Sequence, residues 1–415
     1  MNQPSPPTGR TTAAARSPLS AVGALVALAV SAFAYVTTEN LPIGLLQVIA
    51  EDLRVSLPAV GLLVTGYGVT VAIVSVPLTH WTRRIPRRHL ISGLLAVFVL
   101  ATVVSVSTSS YTVLLAARVI TALSQAVFWS VAGITAAGLF RPEVRGRVIS
   151  VLFAGSSLGI VAGVPAGTWL GQQSGWRAAF LALSALGALT FVAVIVLLPT
   201  EPPGQGHAAT GTTPDARRYW IVVVTTGLII LGQFTCHTYI TTFLTDVSGF
   251  SAAAISPLLL LSGLTGIAGT AGFGFLVDRA PRTAMVIPVA LLTVTLLGLY
   301  AAGAARLPAA ALMALSGFSM GALVTALQSR TLQVAPGRSE IAAAGTSASF
   351  NVGISGGALI GGVLLPHTEP RAIPLAGAAI AACALVVLLC EPLVARRPAG
   401  PGAREVPDQA GAALS

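Results

Sequence analysis

Charge is what this sequence has least of. Only 9% of its 415 residues are Asp, Glu, Lys or Arg, against about 25% in ordinary soluble domains. Hydrophobic residues make up 54%, and the mean hydropathy is +0.85. That balance excludes a soluble globule and leaves a polytopic membrane protein. Lysine is absent altogether, and all 23 basic residues are arginine. The net charge of +10 and the pI near 10.7 would suit nucleic acid only if the cations shared one soluble face. They sit instead in short loops between apolar runs, which excludes that partner. The three cysteines, Cys236, Cys383 and Cys390, lie inside apolar segments without ligand spacing, so neither a disulfide framework nor a metal site is expected. No nucleophile, base or metal cluster recurs at helical spacing, so no catalytic residue, no cofactor and no enzyme activity are expected.

What is present is a series of apolar runs, each near the 20 residues needed to cross a hydrocarbon core of about 30 Å. Twelve are found, at 20–46, 58–80, 89–108, 111–138, 147–171, 177–199, 219–245, 253–277, 283–304, 307–332, 341–365 and 371–394. The polar start is too long and too weakly basic for a signal peptide and no small-residue cleavage site follows, so the first run is read as retained. The longest internal break, 200–218, is rich in Pro, Gly and Thr and reads as a linker. The chain therefore divides into a tail (1–19), a six-helix bundle (20–199), the linker (200–218), a second six-helix bundle (219–394) and a disordered tail (395–415). Arg84-Ile85-Pro86-Arg87 after the second run recurs as Arg279-Ala280-Pro281-Arg282 after the eighth, as in transporters built from duplicated halves. The fold expected is an all-α membrane protein of twelve helices in two pseudo-symmetric bundles.

Arginines set the orientation. With a cytoplasmic N-terminus, eighteen fall in inside segments and four outside, at Arg54, Arg177, Arg306 and Arg371, with Arg118 left inside a run. The positive-inside rule then places both termini, the linker and both tails in the cytoplasm.

Only two residues charged at neutral pH lie well inside the runs, Glu39 and Arg118. An acid at the centre of a membrane helix costs about 2.5–3.5 kcal/mol on insertion scales, and such residues mark ion and substrate pathways. Both lie seven residues from the outer ends of their runs, about 10 Å deep at 1.5 Å per residue, so the two are expected to pair. In that pair Arg118 would tune the proton affinity of Glu39, giving a coupling device. The alternatives are a purely structural pair, or a permanently protonated Glu39 satisfied by Thr37 or Asn40.

In the fourth run Arg118, Gln125 and Trp129 share one helical face, and in the seventh Gln233, His237 and Thr241 do so beside Tyr239. Both stripes join hydrogen-bonding groups to aromatics, as a pocket for a polar or amphipathic small molecule requires. Interhelical packing is the competing reading for the first, and a plain hydrogen-bonding role for His237. The fifth run carries Gly155, Gly159, Gly163, Pro165, Gly167 and Gly171, and the eleventh Gly353, Gly356, Gly357, Gly361 and Gly362. Small residues at this spacing let helices approach closely; plain small-residue packing is the first reading, and it would also suit helices of opposite halves that slide as the halves rock. Asn351 is the polar residue near the eleventh stripe singled out for substrate contact.

Three stretches carry a resemblance: Thr37-Thr38-Glu39-Asn40-Leu41-Pro42-Ile43-Gly44-Leu45-Leu46, Ala126-Val127-Phe128-Trp129-Ser130, and Phe350-Asn351-Val352-Gly353-Ile354-Ser355-Gly356-Gly357-Ala358-Leu359. With them, from the first run through the eleventh, the chain resembles the major facilitator superfamily, and within it the exporters of arabinose, related sugars or thiogalactosides. The stretch Gly159-Ile160-Val161-Ala162-Gly163-Val164-Pro165-Ala166-Gly167 is similar to the superfamily's antiporter motif, and Gly274-Phe275-Leu276-Val277-Asp278-Arg279 to its loop motif. Arg83-Arg84-Ile85-Pro86-Arg87-Arg88 lacks that motif's aspartate, Gln125 stands where such sugar exporters tend to have histidine, and Thr241-Thr242 stands where they tend to have an acid and a proline.

The resemblance implies a proton-coupled exporter of the plasma (inner) membrane, working by alternating access as a monomer. Its partners would be protons, the lipid bilayer and a small molecule, either a sugar-like compound or a chloramphenicol-type drug. Glu39 and Arg118 would couple the proton. Asn40, Tyr67, Gln125, Trp129, Gln233, His237, Tyr239 and Asn351 would line the substrate site. Gly159, Gly163, Pro165, Gly167, Gly274, Asp278 and Arg279 would serve the conformational change.

Overall fold

Among the described residues of the computed structural model, twelve helices are long and apolar enough to cross a bilayer. The structure describes residues 18–82, 85–141, 144–199, 214–336 and 339–394. The helices are α1 (Pro18–Gly44), α2 (Leu57–Thr82), α3 (Arg87–Ser107), α4 (Tyr111–Gly138), α5 in three segments (Arg145–Leu158, Gly159–Gly163, Val164–Ser174) and α6 (Trp176–Leu197). In the second half they are α7 (Ala216–His237), α8 (Ala252–Arg279), α9 (Pro281–Ala302), α10 (Arg306–Val334), α11 (Ser339–Leu364) and α12 (Ile373–Leu389). No strand occurs among the described residues. The tails and the linker expected at 1–19, 395–415 and 200–218 lie wholly or largely outside the described residues, as does Arg84 of the repeated Arg-x-Pro-Arg motif.

The halves repeat each other in their contacts. In the first, α1 packs on α5 and α6, α2 on α4, and α3 on α4 and α6. In the second, α7 packs on α11 and α12, α8 on α10, and α9 on α10 and α12. Each pairing recurs six helices later.

The glycine stripes explain two of these pairings and correct the expectation that they join opposite halves. A side chain at Gly159 would meet the Phe33 carbonyl at 2.9 Å, and one at Gly167 would meet Leu41 at 2.8 Å. A side chain at Gly353 would meet the Gly227 carbonyl at 2.8 Å, and one at Gly357 the Leu231 carbonyl at 2.5 Å. Both stripes thus zip helices of the same half, α5 to α1 and α11 to α7, rather than bridging opposite halves. Lipid chains are as apolar as leucine, so van der Waals fit between backbones holds such pairs together, and that fit tolerates no Cβ. Within α5 the ladder opens into a π-helical turn at Gly159–Gly163, just before Pro165, which has no N–H to continue it.

Contacts between the halves run through α2 with α11 and α8 with α5. They gather toward the end of the bundle away from the chain termini. Gln47 donates to Thr245 Oγ1 (2.9 Å), Thr241 Oγ1 to the Ile43 carbonyl (3.4 Å), Gln172 to the Ala252 carbonyl (2.9 Å) and Ser256 Oγ to the Pro165 carbonyl (2.8 Å). The glycines that let the halves approach are others than the expected stripes. A Cβ on Gly263 would lie 2.8 Å from the Val161 backbone, and Gly61 and Gly68 similarly admit Tyr239 and Ser355.

The seventh helix is the one clear boundary difference, ending at His237 rather than near 245. There Tyr239 N bonds the Cys236 carbonyl and Thr238 Oγ1 the Phe234 carbonyl, and a π-helical turn follows at Phe243–Val247. Clustered threonines offer the backbone alternative acceptors and donors, which loosens a regular helix.

Candidate functional site

The site is built on a defect in α1. Pro42 lies inside this helix, and a proline supplies no N–H to the carbonyl four residues earlier, which is that of Thr38. In a bilayer an unpaired main-chain carbonyl is costly. Arg118, reaching across from α4, fills the gap: Nη1 donates to the Thr38 carbonyl at 2.5 Å and Nη2 to the Glu39 carbonyl at 2.9 Å. Its guanidinium also lies over the Tyr67 ring, 4.5 Å from the centroid, and Nε has no partner. The pairing expected between Glu39 and Arg118 therefore takes another form. The two residues meet at matching depth, but the guanidinium grips the main chain of α1 rather than the carboxylate.

The carboxylate is held by a neutral group. Gln125 Nε2, two turns beyond Arg118 on α4, donates to Glu39 Oε2 at 2.7 Å. The Gln125 Oε1 accepts from the Tyr67 hydroxyl, and this orients the amide so that its NH₂ faces the acid. Glu39 is half-buried and borders a cavity of about 200 Å³. The other walls are Val71 and Ser75 of α2, Ala126 and Trp129 of α4, and Ser347, Phe350, Asn351 and Ile354 of α11. The cavity thus lies between the halves. It is smaller than the 300–1,000 Å³ of drug-sized ligand pockets.

Of the residues singled out from the sequence, Glu39, Gln125, Trp129 and Asn351 line this cavity. Asn351 donates to its own helix at Ser347 (3.0 Å), and Trp129 stacks on Phe153 with centroids 5.9 Å apart. Tyr67 stands behind Gln125. Asn40 turns back to the Val36 carbonyl (2.9 Å). Gln233 Nε2 donates to Ser316 Oγ of α10 at 3.0 Å, while its Oε1 has no partner. His237 sits one turn further along α7, half-buried against Phe234. Tyr239 lies in the seam between halves, its hydroxyl on the Ala358 carbonyl at 3.0 Å. Gly159, Gly163 and Gly167 form the α1–α5 interface, while the Pro165 carbonyl accepts from Ser256 of α8. Gly274 and Arg279 close α8, and the side chain of Asp278 is not among those described. Ser75, Ser347 and Phe350 were not anticipated. Serine and phenylalanine are common in membrane helices, and only the meeting of α2 with α11 marks these three. No cluster of metal-ligating side chains occurs among the described residues.

The profile of the Major Facilitator Superfamily matches residues 28–346. The chain belongs to that superfamily. A curated relative from Mannheimia succiniciproducens, a probable sugar efflux transporter, is 31% identical over 364 residues, covering 87% of this chain and 92% of the relative. Among solved structures, a bacterial homologue of the human lysosomal transporter Spinster, inward-facing and occupied, aligns with a TM-score of 0.71 over 91% of this chain and 98% of its own, at 16% identity. The nucleoside transporter NupG aligns with a TM-score of 0.68 over 88% and 99%, at 11% identity. The protein is therefore a multi-pass inner-membrane transporter of the superfamily, not an enzyme.

Proposed function

We propose that this transporter exports a small polar molecule in exchange for protons, with Glu39 as the proton carrier. The observation that carries this reading is the exposure of the Glu39 carboxylate to a cavity shared by both halves, while Gln125 holds only one of its oxygens. An acid so placed can exchange a proton with solvent and touch the cargo in one site. Arginine counts favour cytoplasmic termini; on this reading the end where the halves meet, the sealed end, faces outward and the cavity belongs to an inward-facing state. In the cycle, substrate enters from the cytoplasm with Glu39 charged. The halves rock to open the sealed end, and a proton taken from outside accompanies release.

A sugar or sugar-like compound fits the cavity's size and its ring of hydrogen-bonding groups from Glu39, Gln125, Ser75, Ser347 and Asn351, and agrees with the name of the Mannheimia relative. A chloramphenicol-type drug is the second reading, favoured by the apolar remainder of the wall, Val71, Trp129, Phe350 and Ile354. Efflux of labelled arabinose, a thiogalactoside and chloramphenicol from cells with and without the gene separates the two. Proteoliposomes with an imposed pH gradient test the coupling: Glu39→Gln is expected to abolish gradient-driven transport of whichever compound moves, and undiminished transport would remove Glu39 from the mechanism.

A further inference from the structure

We propose that Arg118 is a positioning residue that completes the hydrogen-bond ladder of α1 at the Pro42 gap, rather than a counter-ion for Glu39. Three observations lead here. The Thr38 carbonyl is the acceptor that Pro42 leaves without a helix partner, and the shortest bond of the guanidinium goes to it. The second bond goes to the next carbonyl, that of Glu39 itself. The carboxylate, meanwhile, takes its hydrogen bond from Gln125.

A neutral donor would also mend the gap. Arginine is suited because one planar fork reaches two successive carbonyls from a neighbouring helix, and because its face rests on Tyr67, the residue that orients Gln125. Through these contacts Arg118 fixes both the main chain of α1 at Glu39 and the amide that Glu39 meets. The guanidinium thus acts on the acid through geometry. This role stands whether or not Glu39 carries the transported proton.

The two roles predict opposite rescues. Pro42→Ala returns an N–H to the Thr38 carbonyl, so it should make Arg118 partly dispensable, whereas removing the acid by Glu39→Gln should not. Full-length protein in detergent would be melted as wild type, Arg118→Met, Pro42→Ala, Glu39→Gln and the two doubles that contain Arg118→Met. Arg118→Met is expected to lower Tm, and Pro42→Ala to restore at least half of that loss. The infrared carboxyl band of Glu39, identified as the one that Glu39→Gln removes, gives a readout that a merely structural role would not move. The other titratable groups around this carboxyl are Tyr67 on α2, Arg118 on α4 and Tyr35 one turn back on α1, while α11 presents only neutral groups. The titration midpoint of the band should be displaced in Arg118→Met and return in the Pro42→Ala double. Should Arg118→Met fail to fold, Arg118→Lys, which can reach one carbonyl at a time, should give a smaller loss of Tm with the same rescue. Additive losses in the Pro42→Ala double, or restoration by Glu39→Gln instead, would overturn the proposal and return Arg118 to the role of counter-ion.

Discussion

Each half of the transporter sets an acid near a buried arginine, and the two are built in opposite ways. In the second half, Arg330 of α10 donates directly to Glu391 at 2.8 Å, both side chains are only 10% exposed, and the pair sits at the terminal end of the bundle. In the first half, Arg118 passes the Glu39 carboxylate and takes two carbonyls of α1, leaving the acid to Gln125 and the cavity. That pair is a direct salt bridge between two charges, with Arg330 also donating to Gln333 Oε1 at 3.5 Å. An acid held by one neutral amide at a cavity wall keeps a free edge. The difference teaches that burial of charge in a membrane bundle does not by itself mark a working residue. What sets Glu39 apart is the cavity it borders.

The largest effect should come from breaking the closed pair. Glu391→Ala leaves Arg330 buried and unpaired, which typically costs about 3–5 kcal/mol. A lower Tm and poor recovery in detergent are the expected result, with the pH dependence of any remaining transport unchanged. Glu39→Gln should do the reverse. The substitution is nearly isosteric and its amide can still meet Gln125, so Tm should shift by less than about 1 kcal/mol of stability while coupled transport is lost. If the two variants trade these signatures, the contrast between the acids is wrong.

The glycine ladders provide a control, because here the halves agree. Gly159→Leu pushes α5 off the Phe33 carbonyl, and Gly357→Leu pushes α11 off that of Leu231. Overpacking at either should cost about 1–3 kcal/mol, and denaturation midpoints should fall alike. A smaller effect is expected at the seam. Tyr239→Phe removes one hydroxyl, worth about 0.5–1.5 kcal/mol, from its bond to Ala358 and from its contact with Gly61. Spin labels placed on α2 and α8 at the sealed end should then report a larger open fraction.

How much of this was legible in the sequence depends on the range of the interaction. Hydrophobic length is local, so the twelve spans were readable, and so was the matching depth of Glu39 and Arg118, since rise per residue is fixed. That the guanidinium would prefer carbonyls to a carboxylate was not anticipated, although Pro42 was in plain view and its missing N–H points to Thr38. The glycine stripes were readable as close-packing faces but not as to partner, because spacing along one helix does not say which neighbour it meets. Ser75, Ser347 and Phe350 could not be found at all without knowing that α2 crosses α11. Tyr239 was read as a pocket residue for its chemistry, and only the break after His237 carries it into the seam.

The smallest effect is expected at the sealed end, where the halves again differ in kind. Asp52, in the short helix Leu46–Leu53, accepts from the Trp176 indole at 3.0 Å and from Arg177 at 2.5 Å. Those bonds, the indole first and then the arginine, hold its carboxyl below the usual aspartate range. In the second half Arg306 donates to the Gly249 carbonyl, and Arg371 to the Tyr300 and Ala301 carbonyls while lying over the Tyr300 ring. A carboxyl lowered in the folded state stabilises it above the ordinary aspartate value of about 3.9, and this contribution fades as pH falls through the lower folded value. The Asp52 side chain is 41% exposed, so solvent screening holds the contribution to below about 1 kcal/mol. Asp52→Asn should therefore melt slightly lower than wild type at neutral pH, with the difference closing as the acid limit is approached. Arg306→Gln and Arg371→Gln, which remove no titrating partner, should shift Tm by the same amount at every pH, and a pH-dependent shift in either would show that the second half also holds its sealed end by charge.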